Sequence, residues 1–358
     1  MKTIAYYISD YGFGHATRSI AVISELMKED VNIIISTSFP MPIVQTAFEK
    51  KHEGKITYRY NENDLGFITK MNSIDVDIDK MNVAYDAYIS TLPERVIEEE
   101  WFLEENNVDL VISDISPAPF LAAKNKGIRS IGISNFTWYT AYLQIIEEHK
   151  LTPLKEAYEA MDYYFALAGV NEPDWAREKT EEFGFFARKT NHDEKDKLLE
   201  LHNRDGKYKL IYLGLGMKID IEDLDHLRLL DDPNVKLIVS SNIDIKGERI
   251  INIPATEPEA HHYTAIADVV ITKPGWGTVG EAICNNKPLI LINRSHMQED
   301  ANTINFLMER KRCMLIEWEE LFDLRLTDEK WLDLSKQMSV EKVDNQLNKL
   351  VDSIKSKW

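Results

Sequence analysis

The sequence predicts an α/β protein made of two doubly wound, Rossmann-like domains. Three observations predict it. Short apolar runs alternate with helical patterns through the first part of the chain, and the alternation restarts at Tyr208. Each half carries a glycine-rich turn between a strand and a helix, Tyr11-Gly12-Phe13-Gly14-His15 and Lys273-Pro274-Gly275-Trp276-Gly277. The length of 358 residues suits two domains of ordinary size.

Taken in order, Thr3 to Ile8 reads as a buried parallel strand, and Ile20, Ile23 and Leu26 lie on one face of the helix that follows. Asn32 to Thr37 completes a first βαβ unit. Residues 41–107 alternate less clearly. Asn61 to Gly66 is a loop, and Asp75 to Asp79 a solvated segment. The glutamate-rich stretch 94–105 reads as a charged helix face. Asp109 to Asp114 is a strong strand. A short helix ends at Gly127, and Ile128 to Ser134 is the next strand. The aromatic run Asn135 to Tyr139 at its end is either core or the wall of an acceptor pocket. Tyr163 to Leu167 is one more strand, and Gly169 to Asp174 the best linker candidate. In the second half, strands are expected at Tyr208 to Leu213, closed by Gly214-Leu215-Gly216, and at Val235 to Ser240. Three more follow at Ile250 to Pro254, Asp268 to Thr272 and Leu289 to Asn293. The expected domains are 1–170 and 171–326, followed by an amphipathic tail, 327–358, that can pack back on the first domain. Ligands are expected in a cleft between facing carboxyl edges.

Composition excludes several classes. A net charge of -18 argues against wrapping nucleic acid, which needs clustered Lys and Arg. Two cysteines, Cys284 and Cys313, make no disulfide framework and read as buried thiols. The apolar run at the N-terminus is too short for a signal peptide, and no run approaches the roughly 20 apolar residues of a membrane span. A cytoplasmic protein with at most peripheral membrane contact is expected.

The stretch Lys273 to Ala282 organises the chain. Strand, glycine turn and helix start, in that order, form an anion site: the backbone approaches closely and the first helical N–H groups point outward. No Gly-Lys-Ser/Thr closes the turn, so it is not a Walker loop, and the third glycine of a dinucleotide fingerprint is missing. Glu281, one turn into the helix, would repel a phosphate and suits neutral hydroxyls such as a ribose diol. His15, at the mouth of the first helix, is either a general base or a packed turn histidine. Asp114 emerges on the same edge.

These residues carry a resemblance. Asp268 to Gly275, Thr278 to Ala282, Pro288 to Ile292 and Gln298 to Asn302 resemble, in order and spacing, the donor motif of the GT-B glycosyltransferases. The similarity is to the branch of the peptidoglycan-type N-acetylglucosamine transferases and diglucosyl-lipid synthases. Gly12-Phe13-Gly14-His15 resembles that family's N-terminal loop. Tyr11 to Arg18, with Gly127 to Ile131 and Ser134 to Trp138, is also similar to the glycosyltransferase-like half of plant-type arabinokinases. Their kinase half has no counterpart, so sugar-kinase activity is not expected.

The resemblance implies transfer of a sugar, hexosyl or N-acetylhexosaminyl, from a nucleotide-diphosphate sugar, expected to be UDP-linked. The acceptor is a hydroxyl of a small molecule, glycan or lipid, and the anomeric carbon is inverted. No cofactor beyond that co-substrate and no metal are implied. His15 is the first choice of base and Asp114 the second. Gly14, Gly214, Gly216, Lys273, Gly275, Gly277, Thr278, Glu281, Gln298 and Glu299 are the donor-binding set. Two departures stand out: the run His296 to Asp300 replaces a Gln–Gln or Asp–Gln pair, and Trp276 replaces a smaller residue. A sugar-nucleotide 2-epimerase and a non-catalytic nucleotide-sugar sensor remain the alternative readings.

Overall fold

The structure is a computed structural model. It describes the chain except residues 50–53, 71–75, 216–226, 241–242, 244, 255–256, 258, 294–296 and 340–341. The chain divides into two compact units, 1–184 with 346–358, and 185–345. The sequence reading set its boundaries at 170/171 and 326/327.

Unit 1 is built on a parallel seven-stranded sheet of order β3-β2-β1-β4-β5-β6-β7. Its strands are β1 (Lys2–Ile8), β2 (Val31–Thr37), β3 (Ile56–Tyr60), β4 (Leu110–Asp114), β5 (Arg129–Ser134), β6 (Tyr163–Leu167) and β7 (Lys179–Phe183). The helices are α1 (Phe13–Leu26), α2 (Met41–Phe48), α3 (Ile78–Glu105), α4 (Ala118–Lys126), α5 (Trp138–Tyr142) and α6 (Thr152–Tyr158). Central strands such as LVISD are buried at every residue, as parallel strands covered on both faces must be. The pairing of β6 with β7 keeps residues 171–184 in unit 1, which is why the chain crosses after Gly184.

Unit 2 carries a parallel six-stranded sheet of order β10-β9-β8-β11-β12-β13. Its strands are β8 (Lys209–Gly214), β9 (Val235–Val239), β10 (Ile250–Asn252), β11 (Val269–Thr272), β12 (Leu289–Ile292) and β13 (Met314–Ile316). The helices are α7 (His192–Asn203), α8 (His261–Ile266), α9 (Trp276–Cys284), α10 (Gln298–Glu309), α11 (Trp318–Asp323) and α12 (Asp328–Ser339). The last helix, α13 (Leu347–Lys355), belongs to unit 1. It buries Leu347, Leu350, Val351 and Ile354, and Lys355 pairs with Glu29 at 3.2 Å while Ser353 donates to Glu181 at 2.9 Å.

One open reading resolves and one expectation changes. The aromatic run after β5 is core: Phe136 and Trp138 are buried, and Trp138 stacks on Tyr142 with centroids 5.3 Å apart. The glutamate-rich face of α3 is not wholly solvated. Glu99 is buried, accepting from the Tyr7 hydroxyl at 2.6 Å and pairing with Arg59 at 2.6 Å.

Candidate active site

In each sheet the strand order reverses beside the first strand, between β1 and β4 in unit 1 and between β8 and β11 in unit 2. At such a switch point the flanking loops diverge and leave a crevice at the carboxyl ends, where open α/β sheets take their ligands. The residues singled out in the sequence fall at these two points.

In unit 1, Gly12 precedes α1 with φ 82 and ψ 172, a conformation only glycine takes without strain, and it turns the chain from β1 into the helix. Gly14 lies in the first turn, where an added Cβ would meet open space. His15 follows, buried, with Nδ1 2.8 Å from Asp114 Oδ1 at the end of β4. The two candidate bases are therefore a hydrogen-bonded pair. Arg18, one turn along α1, donates to Asp114 through Nε at 2.7 Å and Nη2 at 2.5 Å. Its Nη1 donates to Asn135 Oδ1 at 2.8 Å, and Ser19 donates to Asp114 at 3.3 Å.

These contacts fix the protonation states. Burial would raise the Asp114 carboxyl, but Arg18 and His15 outweigh it and hold it at about 2. An ionised Asp114 accepts the Nδ1 proton and leaves His15 Nε2 with the lone pair. Arg18 Nη2 also lies 2.9 Å from His15 Nδ1, but it donates to Asp114 Oδ1, much the stronger acceptor, and to Ser134 Oγ at 3.2 Å. Burial, followed by Arg18, lowers the imidazole pKa against the pull of Asp114, so His15 is neutral at neutral pH.

The same edge holds a carboxyl that sequence reasoning missed. Asp64, half-buried in the loop after β3, accepts from Asp10 N at 3.1 Å and Ser116 Oγ at 3.3 Å. Burial and the neighbouring Asp10 push it to about 7. Asp10 is a tie, accepting from Ser38 N at 2.6 Å and Asn63 N at 2.6 Å.

In unit 2, Thr272 at the end of β11 lies in register with Gly214 at the end of β8, and its hydroxyl donates to the Gly214 carbonyl at 2.7 Å. Gly214 is glycine for a packing reason: a Cβ there would lie 2.6 Å from the Tyr212 ring. Gly216 lies outside the described residues. Lys273 and Pro274 lead to Gly275, which precedes α9, and Gly275 N donates to Lys273 O at 2.7 Å in a tight turn. No side chain caps α9 and no acidic residue stands in its first turn, which holds Gly277 and Thr278. Trp276 packs on Phe185 and Phe186, with centroids 5.2 and 5.0 Å away, so its bulk is accommodated by core. Gly280 passes so close to the Phe186 carbonyl that a Cβ would lie 2.9 Å from it.

Glu281 is buried. Arg188 donates to its Oε1 at 3.3 Å and Thr264 to its Oε2 at 3.4 Å. Burial raises its pKa and Arg188 opposes the rise. Both contacts are long, and a carboxylate has further lone pairs to offer a ligand. Gln298 and Glu299 sit one strand further along the edge, at the start of α10. The Gln298 amide donates to Asn302 at 3.0 Å, along its own helix. Glu299 and Asp300 occupy the first turn, where acidic residues suit the macrodipole. His296 lies outside the described residues.

Glu259, His261 and His262 bring ligand-type atoms within 4.8 Å of one another. Only one of the two histidines has a tautomer that suits a metal. His262 Nε2 accepts from Asn191 N at 3.0 Å, so its proton is on Nδ1, and His261 Nε2 donates to Lys189 O at 3.2 Å. The pair ties α8 to the segment before α7.

Arg18, Asn135, Arg188 and Thr264 were not legible as site residues. Arg18 carried a signal in its spacing of three from His15 on one helix face, and Arg18 and Asn135 both lie in the stretches that resemble the arabinokinases.

The two parallel sheets, each with its ligand edge at a switch point, define the GT-B fold, that of two Rossmann-like domains in nucleotide-sugar glycosyltransferases. The chain superposes over its whole length on UGT2 of Phytolacca americana, solved with UDP-2-fluoroglucose and pterostilbene: TM-score 0.65, 12% identity, 100% of both chains. It matches the calicheamicin glycosyltransferase CalG4 with TM-score 0.63 and 13% identity, over 99% of this chain and 98% of that one. UGT89C1 of Arabidopsis thaliana complexed with UDP-L-rhamnose gives TM-score 0.61 and 11% identity, over 98% of each. In sequence, the chain is 25% identical over 316 residues to the L-arabinokinase of Arabidopsis thaliana, covering 85% of this chain. It spans 29% of that protein's length. No protein-family profile matches the chain. No helix among the described residues is long and apolar enough to cross a membrane.

Proposed function

We propose that the protein is a glycosyltransferase that moves a sugar from a UDP-linked donor to an acceptor hydroxyl with inversion. The observation that carries this reading is the His15–Asp114 hydrogen bond at the switch point of unit 1. It presents a neutral imidazole with a free Nε2 lone pair, as a general base requires. The likeness to enzymes solved with UDP-sugars supports the donor class.

In this reading the acceptor O–H gives its proton to His15 Nε2 as its oxygen attacks the anomeric carbon. The bond from that carbon to the β-phosphate oxygen breaks, and the diphosphate leaves with the electron pair. Its charge is met by the first N–H groups of α9 and by Lys273, with no metal required in that role. Asp114 does not take the proton: it orients the ring and stabilises the imidazolium. Gly275, Gly277 and Thr278 let the phosphates approach, Gly214 shapes the neighbouring strand end, and Glu281 accepts from the ribose hydroxyls. Gln298 and Glu299 are the candidates for the sugar hydroxyls, and Gly14, counted with the donor set in the sequence, is assigned instead to leaving room for the acceptor beside His15 in unit 1. No cofactor is needed beyond the donor. The acceptor is a small molecule, glycan or lipid.

Calorimetry with UDP on wild type, Gly277→Val and Glu281→Ala tests the donor half. Gly277→Val should weaken UDP binding by obstructing the backbone. Glu281→Ala should cost on the order of 1.5–3 kcal/mol per lost bond and erase the preference for UDP over its dideoxyribose analogue. Unchanged affinity in both variants would remove the donor site from this stretch.

A further inference from the structure

Unit 2 has a second feature that the proposed chemistry does not use. A pocket of about 600 Å³ opens at the C-terminal end of α9, against the start of α7. The glycine turn is at the other end of α9, about 13 Å away for nine residues at 1.5 Å each. Arg188, Lys189, Lys195 and Lys342 line the pocket, with His192 and the amides of Asn285, Asn286 and Asn345. No carboxylate is among the lining residues, in a chain of net charge -18. Just behind the wall, Lys287 is half-buried, and burial together with the Lys195 ammonium holds its amine down to about 8. Among the described residues no carboxylate lies within ion-pair distance of Lys195, Lys287 or Lys342. The acids of α7 next to Lys195, namely Asp193, Glu194 and Asp196, are outside the lining, Glu194 pairs with Lys197 at 2.7 Å, and Asp268 raises the Lys287 amine only in part against burial and Lys195.

The cations are not there to cap α9. Its end is closed by backbone: Asn285 N donates to Glu281 O at 3.1 Å, Asn286 N to Ile283 O at 3.0 Å and Lys287 N to Ala282 O at 2.8 Å. The partial charge of a helix C-terminus, about half an electron, is also too small to balance the Lys195 and Lys342 ammonium groups, while the Arg188 guanidinium is already paired with Glu281 at 3.3 Å. Like charges gathered around a partly buried space repel one another until an anion enters.

We propose that this pocket binds a multivalent phosphate anion, as a site separate from the glycine turn. The Lys195 and Lys342 ammonium groups at one cavity, with Lys189 and the Glu281-paired Arg188 in the same wall, suit the oxygens of a di- or triphosphate chain. The Asn285, Asn286 and Asn345 amides add hydrogen-bonding partners for its oxygens or for an attached group.

Calorimetric titration of inorganic tripolyphosphate into the full chain, at about 0.15 M salt to suppress diffuse binding, tests this. We expect saturable binding that persists in Gly277→Val, where the glycine turn is blocked, weakens at least about tenfold when Lys195→Gln/Lys342→Gln is added to that variant, and survives when Lys195→Arg/Lys342→Arg is added instead. Thermal melting of each variant without ligand separates misfolding from lost binding. The proposal is overturned if no saturable binding occurs, if the glutamine variant binds as well as Gly277→Val alone, or if Gly277→Val itself abolishes binding. A parallel arm uses phosphatidylcholine vesicles containing phosphatidic acid. Sedimentation with the vesicles and no response to tripolyphosphate would also overturn it, assigning the cations to a lipid headgroup.

Discussion

His15 Nδ1 and Asp114 Oδ1 lie 2.8 Å apart, although 99 residues separate them in sequence. The parallel pairing of β1 with β4 makes this contact, because it places Ile8 opposite Asp114 and the α1 entry loop beside them. Sequence reasoning offered the two residues as rival bases. In the proposed reaction their geometry suits complementary roles, with Asp114 held ionised and His15 left to exchange protons.

Asp114→Asn should therefore damage catalysis without removing the base. The amide cannot hold the imidazole in the same tautomer, and transfer should slow by roughly 10²–10⁴-fold. Donor affinity should stay near wild type, since the residues proposed to hold the nucleotide diphosphate lie in unit 2. The variant should also lose about 3–5 kcal/mol of stability, because Arg18 is left buried without its carboxylate. Steady-state rates and urea denaturation check the two halves separately. A variant as active as wild type would detach Asp114 from the chemistry.

Asp114 and His15 should each withdraw stability as the pH falls, in two steps, while Asp64, raised to about 7, works the other way between that value and its ordinary 3.8. The folded Asp114 value, about 2, is below its ordinary 3.8, so its contribution is complete above that value and is lost as the pH drops toward 2. The folded His15 value is also lowered, from an ordinary 6.5, so the fold favours neutral imidazole and loses stability as the pH falls below 6.5. Urea midpoints measured from about pH 8 to about pH 5 should decline more in wild type than in His15→Gln. Equal slopes would show that His15 is not held neutral by the fold.

Two glycines should respond oppositely to alanine. At Gly280 the new Cβ would press on the Phe186 carbonyl, and neither backbone can yield, so Gly280→Ala should cost roughly 1–3 kcal/mol. At Gly14 the Cβ meets open space and the fold should be indifferent, leaving any loss of activity attributable to a crowded acceptor. Thermal melts of the two variants decide it. A stable Gly280→Ala would mean that α9 can shift away from the 185–187 segment.

The fold was legible because central parallel strands are continuous apolar runs. What escaped was the sheet edges. β3, β7 and β13 are the outermost strands apart from β10, and they are short or carry charge, as in KTEEF, because an edge strand is half-solvated. The division of the chain escaped for the same reason, since β7 ties residues 179–183 to unit 1. At the site, the glycine turns and His15 could be read from local pattern. Arg188 beside Glu281 could not, because 93 residues intervene and nothing local marks an arginine that a fold will bury. Trp276, a departure from the family pattern, is explained by Phe185 and Phe186, which precede it by some 90 positions and meet it only in three dimensions.

The most direct test compares wild type and His15→Ala in two assays on the same samples: affinity for UDP, and release of UDP from UDP-sugars in the presence of an acceptor panel. The account predicts a wild type that forms a glycoside with release of UDP, and a variant that binds UDP equally well but turns over roughly 10²–10⁴-fold more slowly. It also predicts that the variant's rate loses the pH limb of the histidine, which burial and Arg18 move below 6.5. Near-normal turnover by His15→Ala would contradict it and shift attention to Asp64, the other group on that edge titrating near neutrality, at about 7.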